Sequence, residues 1–153
     1  MYLLMIISLL VILPSASLCT DIVVHHSNLS VLPLIGRWWT FWAVGIRLMI
    51  AGLRQVIEPR FTAQEIFGID DTASFPLVRE IGFANLTFGT LGICSLFRVD
   101  WTAPAGIAGG LYYGLAGLVH VVQRRKNLKE WVAMISDLFV CSLLAVFICQ
   151  ALF

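Results

Sequence analysis

Arg47 sits in the middle of an apolar run, Trp38-Trp39-Thr40-Phe41-Trp42-Ala43-Val44-Gly45-Ile46-Arg47-Leu48-Met49-Ile50-Ala51-Gly52-Leu53. A lone charge at that depth in lipid is costly enough that intramembrane ionisable residues face a bundle interior and find partners there. The run therefore predicts a helix inside a membrane bundle, with an answering group on a neighbouring helix. Glu80, Asn85, His120 and Asp137, each inside or at the edge of another hydrophobic segment, are the candidates.

Composition agrees with a membrane class. Only 12% of the 153 residues are charged and 59% are hydrophobic, against roughly 25% charged in soluble domains, and the mean hydropathy is +0.92. Ten Lys/Arg nearly cancel nine Asp/Glu, so there is no field to recruit nucleic acid, and none is expected as a partner. The lipid bilayer is the expected environment.

A helix needs about 20 mostly apolar residues to cross roughly 30 Å of hydrocarbon. Five segments approach this: about 2–18, 38–57, 75–97, 101–122 and 131–152. The expected fold is all-α, a polytopic transmembrane bundle of five helices in one domain over 1–153, with a core of four helices and an N-terminal anchor helix. Trp38, Trp39 and Trp42 open the second segment, Trp101 the fourth and Trp131 the fifth, as expected of side chains at headgroup level. The first segment has a second reading as a cleaved secretory signal, because Pro14-Ser15-Ala16-Ser17-Leu18-Cys19 follows its apolar run. No Lys or Arg precedes the run, and an uncleaved anchor is preferred.

Lys and Arg crowd two links. Arg124, Arg125, Lys126 and Lys129 lie between the fourth and fifth segments, and Arg60, with Arg54 and Arg79 nearby, between the second and third. The positive-inside rule puts both links in the cytoplasm, the N-terminus inside and the C-terminus outside, in what reads as a prokaryotic cytoplasmic membrane. In the longer link, Thr62-Ala63-Gln64-Glu65 has the capping-box pattern, with Phe61 and Ile66 placed as a hydrophobic staple and Gly68 as a stop. A short interfacial helix over about 62–68 is predicted, either sealing the bundle end or covering the polar cluster.

At 1.5 Å per helical residue, Arg54, Glu80 and His120 lie about 5 Å from the cytoplasmic end, Asp137 about 10 Å, Asn85 about 12 Å and Arg47 about 15 Å. The polar groups thus share the cytoplasmic half. Arg47, Arg54 and Glu58 fall on one stripe of the second segment, Glu80, Ala84 and Thr87 on one face of the third, and Tyr113 and His120 are seven apart in the fourth. Pairing of Arg47 or Arg54 with Glu80 or Asp137 lowers the cost of both charges, and Asn85 or His120 can take the remaining hydrogen bonds. The candidate site is Arg47, Arg54, Glu80, Asn85, Tyr113, His120 and Asp137. It reads either as an ion-pair network that fixes helix packing or as a small polar cavity for an anion, a lipid headgroup, a quinone headgroup or a proton.

No nucleophile-base arrangement, metal set or cofactor fingerprint is evident, so catalysis is not the favoured class. The pairs Gly106/Gly110 and Gly110/Gly114 in the fourth segment predict a close packing face, with the partner helix, or a second copy of the chain, left open. Cys19, Cys94, Cys141 and Cys149 lack CxxC spacing. They read as apolar fillers, with Cys19, Cys94 and Cys149 near the outer face, where a disulfide is permitted. His25 and His26 read as solvated link residues.

The stretches Gly36-Arg37-Trp38-Trp39-Thr40-Phe41-Trp42, Ala51-Gly52-Leu53-Arg54-Gln55, Phe61-Thr62-Ala63-Gln64-Glu65-Ile66-Phe67-Gly68-Ile69, Arg79-Glu80-Ile81-Gly82-Phe83-Ala84-Asn85-Leu86 and Ser136-Asp137-Leu138-Phe139 together resemble a domain-of-unknown-function family of small prokaryotic multi-pass membrane proteins. The likeness spans nearly the whole chain and implies no activity. In layout the chain is also loosely similar to DoxX-like four-helix membrane proteins, some of which accompany quinone-linked oxidoreductases; this likeness rests on architecture and implies a quinone as one candidate cofactor. The reading favoured on the residues is a ligand-binding membrane protein, and the alternative is a structural or assembly subunit of a larger membrane complex.

Overall fold

The computed structural model describes residues 2–24, 30–123 and 126–152. His25 and His26, and Arg124 and Arg125 in the second basic link, lie outside them. Among the described residues, five long helices form an all-α bundle: α1 (Tyr2–Val23), α2 (Val31–Ile57), α3 (Phe75–Phe97), α4 (Thr102–Val122) and α5 (Leu128–Leu152). All five are long and apolar enough to cross a membrane. A short helix, Phe61–Ile66, occupies the link between α2 and α3.

α2 is the central element and touches the other four. Its Trp39, Ala43, Val44 and Leu48 form the core with Ile6 and Leu10 of α1, Tyr113 of α4, and Val140 and Leu144 of α5. α2 begins at Val31, ahead of the expected start near 38. Pro33 falls in its first turn, where a missing N–H costs nothing, and Arg37 lies 3.6 Å from Asp21 of α1.

The first helix is more than an anchor beside a four-helix core. Pro14 has no N–H to offer the carbonyl four residues back, which is that of Leu10. Around it the helix widens into a π-helical stretch, Ser8–Ile12, and the indole Nε1 of Trp39 donates to the Leu10 carbonyl at 3.0 Å in the buried core. Trp42 Nε1 donates to Ser17 Oγ at 3.0 Å and Trp38 Nε1 to Asp21 Oδ2 at 2.8 Å. The three tryptophans expected to serve as a headgroup belt thus tie α2 to α1. Their indole N–H groups meet acceptors on a neighbouring helix, which satisfies them at least as well as the interface would.

A close backbone-to-backbone approach lies between α2 and α3, where the glycine spacing in the fourth segment did not point. A Cβ on Gly92 would fall 2.3 Å from the Gly45 backbone nitrogen, one on Gly52 2.7 Å from the Gly82 carbonyl oxygen, and one on Gly89 2.7 Å from the Met49 nitrogen. Only glycine permits this crossing. The α4 glycines do pack within the bundle, mainly against α5: Gly110 against Leu144, Gly114 against Cys141 and Gly117 against Leu138, with Gly109 against Val44 of α2. All four cysteines are free; Cys19 and Cys149 are exposed, Cys94 and Cys141 half-buried.

Candidate functional site

α2 contains a second π-helical stretch, Thr40–Arg47, which ends on the buried arginine. Such widened turns re-aim side chains and leave carbonyls off the regular ladder. Within this stretch the Ala43 carbonyl accepts from the Tyr113 hydroxyl at 2.6 Å. Arg47 is 8% exposed and turns toward α5, where its Nη2 donates to Asp137 Oδ1 at 2.9 Å and to Ser136 Oγ at 3.0 Å. The Ser136 hydroxyl in turn donates to the Ala133 carbonyl. The Arg47 Cζ lies 4.9 Å from the centroid of the Tyr113 ring, so a cation–π contact covers one face of the guanidinium. Its Nη1 is buried with no hydrogen-bond partner.

On the other side of the site, Asn85 of α3 donates from Nδ2 to Gln55 Oε1 of α2 at 2.6 Å. Its own Oδ1 is buried and unpartnered. Asn85 reaches this position because the inward face of α3 is the stripe Val78, Gly82, Asn85, Gly89 and Gly92. His120, buried on α4, sits 3.1 Å by Nδ1 from Gln123 Oε1.

These groups surround a cavity of about 220 Å³ whose walls include Arg47, Arg54, Gln55, Asn85, Tyr113, His120 and Asp137. Tyr2, Met5 and Ile6 of α1 and Tyr112 of α4 complete the sides, and Phe61, Thr62, Ile66 and Phe67 from the α2–α3 link lie over its end.

Arg47, Arg54, Asn85, Tyr113, His120 and Asp137 of the expected set line this cavity, with three departures from expectation. Glu80 is exposed, because the face it shares with Thr87 is the outward face of α3, and it pairs with neither arginine. The stripe through Arg47, Arg54 and Glu58 does not turn inward as a unit. The π-helical stretch buries Arg47, while Arg54, 3.8 Å from Glu58, stays at the rim with its Cζ 3.4 Å from the Phe61 ring centroid. Asn85 and His120 bond to glutamines and not to the guanidinium. Ser136, Gln55 and Tyr2 are members of the site that the sequence did not single out, while Tyr112, which the sequence places beside Tyr113 as a donor into the cavity, lines it. Ser136 is signalled only by adjacency to Asp137, and Gln55 by lying eight residues, about two turns, after Arg47.

The link helix forms, but not as a capping box. Thr62 lies inside the helix and its side chain caps nothing. Gly68, at φ 67°, supplies the left-handed stop. Glu65 instead meets Lys129 at the start of α5, and Lys129 holds the Glu65 carboxyl below the usual carboxylate range by hydrogen bond and charge. Asn127 Nδ2 donates to the Glu65 carbonyl at 3.2 Å. A reciprocal capping box does occur, in Asn127-Leu128-Lys129-Glu130: Glu130 N donates to Asn127 Oδ1 and Asn127 N to Glu130 Oε2, both at 2.9 Å. This box starts α5 at Leu128 and not at Trp131.

A family model describing a family of unknown function, DUF6790, matches residues 1–153. The chain belongs to the DUF6790 family. No curated protein and no solved structure matches it. Family membership agrees with the resemblance read from the sequence and brings no reaction with it, so the chemistry of the cavity carries the functional argument.

Proposed function

We propose that this DUF6790 protein is a membrane-embedded binding protein whose inner-half cavity holds a small polar molecule or the headgroup of an amphipathic one. The observation that carries this reading is Arg47 Nη1, a buried N–H donor without a partner in the wall of a cavity. A buried donor left unmade costs about 1–3 kcal/mol, and a ligand acceptor at that position removes the cost. A cavity of about 220 Å³ is below the roughly 300–1,000 Å³ of sites for drug-sized ligands, so it suits a headgroup and not a whole lipid.

The orientation that goes with this reading has the two basic links in the cytoplasm of a prokaryotic cell, the N-terminus inside and the C-terminus outside. The Tyr2 ring lies 6.3 Å from that of Phe61, which supports placing the start of α1 and the first basic link at one end.

A second reading, a structural or assembly subunit that acts as a homo-oligomer or within a larger complex, draws on one observation. The Arg47–Asp137 pair ties α2 to α5 and answers both charges without a ligand. Mass spectrometry on the purified protein separates the two. Under the binding reading, a co-purifying small molecule is present in the wild type and lost from a folded Arg47→Leu/Asp137→Leu double variant. Equal recovery from both, or no such molecule from either, refutes it.

A further inference from the structure

The charges around the cavity are already balanced. Arg47 has Asp137 at 2.9 Å and Arg54 has Glu58 at 3.8 Å. An anion entering the site would face the Asp137 carboxylate in a region of low dielectric, where a like charge is strongly disfavoured. A cation would face the guanidinium. Among the described residues that line the cavity, the buried groups without partners are a donor, Arg47 Nη1, and an acceptor, Asn85 Oδ1. They ask for hydrogen bonds and not for charge.

The remaining walls define the rest of the ligand. Tyr2, Tyr112, Tyr113 and Phe61 present aromatic rings to the cavity. Ile50 also lines it while being 39% exposed on the surface of α2. With the bundle placed in a bilayer, the cavity reaches the lipid sideways and an apolar tail has a route out beside Ile50.

We propose that the cavity selects an uncharged headgroup that carries a carbonyl oxygen and hangs from an apolar tail, the carbonyl accepting from Arg47 Nη1 and a hydroxyl, where present, donating to Asn85 Oδ1. This rests on the binding reading above and narrows it. Two membrane sources share the chemistry, a quinone ring and a neutral glyceride; the aromatic walls favour a flat ring.

The test is a thermal-shift and equilibrium-binding series on the full chain in a neutral maltoside detergent. The probes are a decyl-substituted benzoquinone, monoolein, oleate and dioleoylphosphatidylglycerol. The expected result is stabilisation by the two uncharged probes, the same at low and high salt, and none by the two anions. The quinone should bind more tightly than monoolein if the rings select it; the reverse order assigns the site to glycerides. Arg47→Lys keeps a cation for Asp137 but removes the planar second nitrogen, and should weaken the uncharged probes at least tenfold, about 1.4 kcal/mol. Should Arg47→Lys not fold, Asn85→Ala reads the same site: it should weaken monoolein, which has hydroxyls to donate, more than the fully oxidised quinone. Tighter, salt-sensitive binding of either anion overturns the uncharged headgroup and leaves the binding reading standing. No shift with any of the four probes overturns both.

Discussion

Removing Asp137 leaves Arg47 charged and buried, with Ser136 Oγ as its remaining hydrogen-bond acceptor among the described residues. Breaking a buried ion pair from one side costs about 3–5 kcal/mol, mostly because the surviving charge stays desolvated. For a chain of this size about 2–4 °C of melting temperature goes with each kcal/mol, so Asp137→Leu should lower the melting temperature by about 6–20 °C by those two conversions. Arg47→Leu should lose a similar amount, since it strands the carboxylate. The double variant removes both charges and packs leucine on leucine between α2 and α5. Replacing a buried pair by apolar groups is often neutral or stabilising, so it should recover most of the loss, with a coupling energy of several kcal/mol across the cycle. The assay is thermal unfolding of all four proteins in one detergent, followed by tryptophan fluorescence. If the two single losses simply add in the double variant, or Asp137→Leu melts with the wild type, the two charges do not depend on each other and the reasoning from their 2.9 Å contact fails.

Gly92→Ala should destabilise by at least the roughly 1–3 kcal/mol of overpacking, because its Cβ would lie 2.3 Å from backbone atoms that cannot rotate away, while Gly110→Ala, whose Cβ would lie 3.4 Å from a leucine side chain, should cost less; melting curves of the pair decide it. Trp39→Phe should cost about 1–3 kcal/mol by leaving the Leu10 carbonyl unanswered in the core, and more than Trp42→Phe, whose partner is a half-buried serine hydroxyl; equal losses would count against the role given to Pro14. The Glu65 carboxyl is held below its ordinary value by Lys129, so its contribution to docking the link helix is present above the ordinary carboxylate range and disappears as pH falls through its lowered value. Hydrogen-exchange protection at residues 61–69, taken relative to the intrinsic rate at each pH, should therefore fall on acidification in the wild type and be lower, with a smaller pH response, in Glu65→Gln.

Much of the bundle can be read before folding because span length and hydropathy are local quantities. Ends at 57, 97, 122 and 152 follow from where apolar residues stop. The beginnings were harder: α2 and α5 start earlier than the tryptophans suggested, since Pro33 tolerates a first turn and Asn127 with Glu130 builds a cap whose pattern is shared by other segments. Thr62-Ala63-Gln64-Glu65 has that same pattern and does not cap, because Lys129 and Asn127 of a different segment claim Glu65. The inward turn of Arg47 and Asp137 was legible, as burial of a charge demands a counter-charge, whereas the outward turn of Glu80 was not: seven-residue spacing says which residues share a face and not which way that face points.

From its order of residues alone, this chain is committed to five apolar helices and to hiding a charge among them, because transfer of each segment into hydrocarbon is additive along the chain. Which helices meet was decided in three dimensions. The Gly45–Gly92 crossing, the Leu10 carbonyl taken by Trp39, and the cavity beside the Arg47–Asp137 pair all depend on atoms distant in sequence arriving within contact range, and no local property of either partner encodes that distance.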